Sequence, residues 1–142
     1  MYFFVLASCD KTFSLSSGTR SGTIQSPNYW SESNYANNQN CQLDIRVSSR
    51  YAVKLSWNLF DVKGDMPNCY DDYVEIYIGC SRTSIGKYCS DNIISAVPHD
   101  IYSPDNCLRI KFRSDSSGSG RGFLATYYSL SISSSGKCLF YN

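Results

Sequence analysis
The stretch FDVKGDMPNCYDDYVEIY, residues 60–77, gathers five carboxylates (Asp61, Asp65, Asp71, Asp72 and Glu75) around Cys69, with Lys63 the single cation among them. Carboxylates at this density suit three chemistries. They could supply oxygen donors to a hard cation such as Ca2+, form an acid/base pair of the glycosidase kind, or act as acceptors that tie down a turn. A general acid needs one carboxyl raised by burial, and these lie in a polar turn. Nucleophilic catalysis has no better footing. His99, in VPHD, is the only histidine, and no G-x-S-x-G elbow occurs. GSGRG at 118–122 does not complete a dinucleotide loop, because Phe123 takes the last glycine's place, and no Lys-Ser/Thr follows. It reads as a hairpin loop, and the chain as a non-enzyme. A second cluster is basic: Arg109, Lys111 and Arg113 share one face of CLRIKFRS, with Arg121 nearby in sequence. Such a stripe suits a sulphated glycan or an acidic partner, and it equally suits a solvated outer face.

The elements that must position these residues are strands. In CQLDIRVS, Cys41, Leu43, Ile45 and Val47 alternate with Gln42, Asp44, Arg46 and Ser48. In YAVKLSWNL, Tyr51, Val53, Leu55, Trp57 and Leu59 are expected to face inward. Val74, Ile76 and Ile78 alternate with Tyr73, Glu75 and Tyr77, and Leu108, Ile110 and Phe112 with the basic stripe. A two-residue period with one wet face is that of half-buried strands. Turn clusters at 26–28, 63–65, 103–106 and 117–122 separate them. Many short strands with turn signals between them predict an all-β sandwich or barrel.

The 142 residues are the size of one domain, and 42% hydrophobic content can build its core. A net charge of +1 gives no general drive toward nucleic acid, and no stretch approaches the roughly 20 apolar residues of a membrane span. Seven cysteines, at 9, 41, 69, 80, 89, 107 and 138, include no close pair at zinc-ligand spacing. Disulfides in an oxidising, extracellular compartment are expected instead, with one cysteine left over. MYFFVLASC leaves two readings: the remnant of a secretory signal over 1–8, or a buried first strand. Residues 131–142 read as a Ser-rich tail carrying Cys138. No N-x-S/T sequon occurs.

Taken in order, Cys9, SGTIQSPNYW (21–30), Cys41, YAVKLSWNLFDV (51–62), NCYDDYVEIYIG (68–79), IGKYCS (85–90), SPDNCLRIKFRSD (103–115) and RGFLATYY (121–128) resemble a CUB domain over residues 9–130. The resemblance implies a jelly-roll-like antiparallel β-sandwich and bridges Cys9–Cys41 and Cys69–Cys89. A third bridge, Cys80–Cys107, is expected from the strands these residues flank, which leaves Cys138 unpaired. Trp30 stands where the family usually has proline, which adds an aromatic for recognition.

The resemblance also implies a calcium site of three acidic residues at one end of the sandwich. Asp72 and Asp115 match two of them, whereas the third position holds Lys63 or Gly64, depending on the direction of counting. Two arrangements follow. Either Asp65 swings in and Ca2+ binds, or the Lys63 ammonium lies between Asp72 and Asp115 in the ion's place. The partner surface implied is Asp72, Tyr73, Ser114, Asp115 and Ser116. The function expected is recognition of an extracellular protein, with a free-standing glycan-binding adhesin or a structural spacer as alternatives.

Overall fold
The structure is a computed structural model that describes residues 8–16, 18–90, 97–133 and 135. Nine strands are described: β1 (Lys11–Ser14), β2 (Ser21–Gln25), β3 (Asn40–Arg46), β4 (Tyr51–Asp61), β5 (Tyr73–Ile78), β6 (Thr83–Tyr88), β7 (Ile101–Tyr102), β8 (Cys107–Arg113) and β9 (Gly122–Ser131). They form two sheets, ordered β1-β3-β8-β5-β6 and β2-β9-β4-β7. All pairings are antiparallel except β1 with β3. The two apolar faces meet in one core, as a sandwich requires. Leu43, Ile45, Val74, Ile76, Leu108, Ile110 and Phe112 come from the first sheet, and Ile24, Val53, Leu55, Phe123 and Ala125 from the second.

Alternation places β3, β5 and β8 as expected, but β4 departs from it. Its register shifts between Trp57 and Leu59. The extra residue turns Phe60 and Val62 into the core and leaves Leu59 only half-buried. A bulge adds one residue to one strand and so inverts the inward parity beyond it. Tyr51, at the strand's start, is 37% exposed rather than buried. The 118–122 loop also differs from the hairpin expected, because it leads from β8 in one sheet to β9 in the other.

Three disulfides brace the described chain. Cys9–Cys41 ties the segment before β1 to β3, Cys69–Cys89 joins the loops flanking β5 and β6, and Cys80–Cys107 links the β5–β6 turn to β8. Cys138 and most of the 131–142 segment lie outside the described residues, as do residues 1–7 of the N-terminal segment. Strand β9 runs through Ser131. No helix among the described residues is long and apolar enough to cross a membrane.

Candidate functional site
A run of edge-to-face rings leads from the core to one end of the sandwich. Phe60 packs on Trp57, Trp57 on Phe123, Phe123 on Phe112 and Phe112 on Tyr35, with centroids 5.0–5.9 Å apart. Such pairs add to the burial of the rings themselves. Tyr35 is 2% exposed, so its ring belongs to the core while its hydroxyl reaches the loops. That hydroxyl donates to Asp72 Oδ2 and accepts from the Lys63 amide at 3.0 Å. Asp72 Oδ1 accepts from the Asp115 amide at 2.8 Å, and the Asp72 amide donates to the Lys63 carbonyl at 3.2 Å. One tyrosine and one aspartate thus join the β4–β5 loop, the β8–β9 loop and the segment before β3.

Asp72 is fully buried. Burial holds its carboxyl above the ordinary aspartate range, against the lowering effect of the Tyr35 and Asp115 donors. Burial and the neighbouring carboxylate together push the Tyr35 hydroxyl well above the usual tyrosine range. Sequence reasoning missed Tyr35. The signal available was its place as the one aromatic in the polar run SESNYANNQN.

Of the five residues expected to face a partner, Asp115 and Ser116 lie at the surface of this end. Ser114 is buried, donating to the Ala36 carbonyl at 2.7 Å and accepting from the Gln39 amide at 2.9 Å. Asp72 is likewise framework. Tyr73 lies on the outer face of β5 beneath Lys87, whose Nζ is 4.2 Å from the ring centroid. Asp115 Oδ1 accepts from the Ser117 amide at 3.0 Å, an Asx turn that shapes its loop. Asp61 Oδ2 accepts from the Arg121 amide at 2.8 Å, and the Arg121 guanidinium lies over Tyr29 at 5.2 Å. Trp30 stands beside Tyr29 and is 69% exposed. His99 is exposed in its loop.

Lys63 extends across the β8–β9 loop. Its side chain covers Gly118, whose φ is +75°, so closely that a Cβ there would collide with Nζ. Among the described residues no ion pair within 4.0 Å joins Lys63 to Asp72 or Asp115. Asp65 is exposed, and its carbonyl accepts from the Cys69 amide at 2.9 Å. This donor set does not suit Ca2+, which takes six to eight oxygens. Of the three expected carboxylates the structure brings together Asp72 and Asp115, while the Lys63 ammonium lies over Gly118 on the loop that would have to wrap the ion. Cys80, Asp105 and Cys107 also cluster. The two sulfurs there are bonded to each other, and the Asp105 carboxylate accepts from the Cys80 and Cys107 amides, so this group is a braced turn.

The CUB domain family model matches residues 9–127. The chain is 37% identical over 112 residues to "Discoidin, CUB and LCCL domain-containing protein 2" of Rattus norvegicus, covering 78% of this chain and 14% of that protein. It is 37% identical over 119 residues to "Tumor necrosis factor-inducible gene 6 protein" of Homo sapiens, covering 80% and 40%. The chain therefore spans less than half the length of these relatives. Among solved structures it is similar to the MASP-1 CUB2 domain bound to Ca2+, with 28% identity, a TM-score of 0.67, and 82% of this chain and 96% of that one covered. The disulfide-braced sandwich, the family match and these extracellular relatives converge: the chain is an extracellular module and belongs to the CUB domain family.

Proposed function
We propose that this module is a non-catalytic recognition domain that binds a protein partner through the loop end around Asp115, and that it does so without calcium. The observation that carries this reading is the buried Tyr35–Asp72–Asp115 network, which holds the loops in place from beneath. Pre-organised loops lose little entropy on binding. The loops it joins carry Asp115, Ser116 and Lys63, and two residues before Asp72 the same β4–β5 loop carries Tyr70, which is 83% exposed. An exposed tyrosine among hydrogen-bonding groups suits the anchor-and-rim pattern of protein interfaces.

The test compares the chain with a Y70A/D115K variant as baits in extracellular extract, with Ca2+ and with a chelator. Each recovered protein is then purified and titrated directly. A partner bound by the parent in both conditions and lost by the variant is the expected result. Equal binding by the variant, or binding abolished by the chelator, would sink the proposal.

A further inference from the structure
The outer face of the five-stranded sheet is far more basic than the sequence stripe implies. Strand pairing brings Arg109, Lys111 and Arg113 of β8 between two neighbours. Beyond β5, Lys87 of β6 lies in register with Glu75, which itself faces Lys111. Alternation puts Arg46 of β3 on the same face, and Arg82, from the β5–β6 turn, reaches across to within 3.7 Å of Asp44. Six basic side chains thus meet three acidic ones, Asp10, Asp44 and Glu75, on a chain whose formal net charge is only +1.

The internal pairings do not cancel this charge. Asp44 is taken by Arg109, which binds it through Nε at 2.6 Å and Nη2 at 3.0 Å. Glu75 accepts from Ser84 at 2.9 Å. Among the described residues Arg46 and Arg113 have no ion pair and are exposed. Lys87 and Lys111 lie over the Tyr73 and Tyr77 rings, 4.2 and 5.0 Å from the centroids. Lys87 is exposed and Lys111 half-buried, and each ammonium lies over one face of its ring. The face therefore offers charge on neighbouring strands about 4.8 Å apart, with Tyr73 and Tyr77 lying under the lysines. A protein partner seeks an apolar centre within its interface. A linear polyanion needs only the cations.

We propose that this face binds a sulphated polysaccharide, on the outer surface of the sheet rather than on the loops that follow Arg113. The probes are heparin, fully desulphated heparin and polyglutamate, each titrated against the folded chain at low and at high salt. Heparin is expected to bind in a strongly salt-dependent way, because exposed charges are screened. Desulphated heparin and polyglutamate should bind far more weakly. R46A/K87A/R113A should bind heparin about tenfold more weakly, equivalent to about 1.4 kcal/mol, with an unchanged melting temperature. If that variant is unstable, R113E alone serves, since Arg113 is exposed and outside every ion pair described here. Absence of heparin binding at low salt, equal binding of polyglutamate, or parent-like binding by the folded variants would each overturn the proposal.

Discussion
Two side chains at the loop end answer the question raised by the acidic stretch. Asp72 is a buried acceptor, and Tyr35 is the donor that makes its burial tolerable. Removing the hydroxyl in Y35F strips Asp72 Oδ2 and the Lys63 amide of a partner at once. Unsatisfied buried groups cost about 1–3 kcal/mol each. Y35F should therefore lose about 1–3 kcal/mol, chiefly from the buried Asp72 oxygen, read from its denaturant midpoint at an unchanged slope, whereas a near-neutral effect would show that the hydroxyl is not engaged. Asp44 makes a pH prediction. The Arg109 guanidinium holds its carboxyl below the usual 3.8, so the folded state binds fewer protons there than the unfolded chain. Its contribution is full above that ordinary value and fades as pH falls through the depressed one. D44N should cost about 1.5–3 kcal/mol near neutrality, and its gap to the parent should close in acid. A gap that stays constant across that range would contradict the assignment. Asp72, raised by burial, acts in the opposite sense: its contribution is greatest in acid and is lost as pH rises through its folded-state value.

The elements at this end are loops whose spacing is set by glycines and by one lysine. Gly120 packs against the Asp61 carbonyl so closely that an added methyl would strike backbone. The two loops would have to separate, and G120A should destabilise by about 1–3 kcal/mol, the usual range for overpacking. A parent-like melting temperature would show that the loops yield freely. Lys63 sets the ionic character of the same end. The parent is expected to melt at one temperature in calcium and in chelator. K63E puts a carboxylate in place of the ammonium on the loop that also carries Asp72, and its melting temperature should rise with added Ca2+, by mass action on a new site. Calcium stabilisation of the parent, or none in K63E, would contradict the role given to Lys63.

At the scale of the whole molecule, Cys9–Cys41 fastens the parallel strand β1, which pairs with β3 alone, to the edge of its sheet. Removing that bridge as C9S/C41S should cost about 3–4 kcal/mol on the chain-entropy estimate for a loop of this length. A change below about 1 kcal/mol would mean that β1 is held by its strand pairing instead. The two-residue period fixed only that the chain is built of half-buried strands, in a sandwich or a barrel, because alternation is a local property of the backbone; the sandwich itself was implied by the family resemblance. The order of cysteines and turn motifs carried the family resemblance. Strand β4 was misread beyond Trp57, because a bulge reverses parity without leaving a mark in residue type. Tyr35 and the six-residue basic face were not legible either. They join residues from distant parts of the chain, such as Tyr35 with Asp72, or Arg46 with Lys87. Lys63 was legible as a departure from the family pattern, but its resting place over Gly118 was not. Local patterns marked β3, β5 and β8 and the face each one buries. Only the packing of the two sheets decided which charges become neighbours, and those neighbours make up both proposed sites.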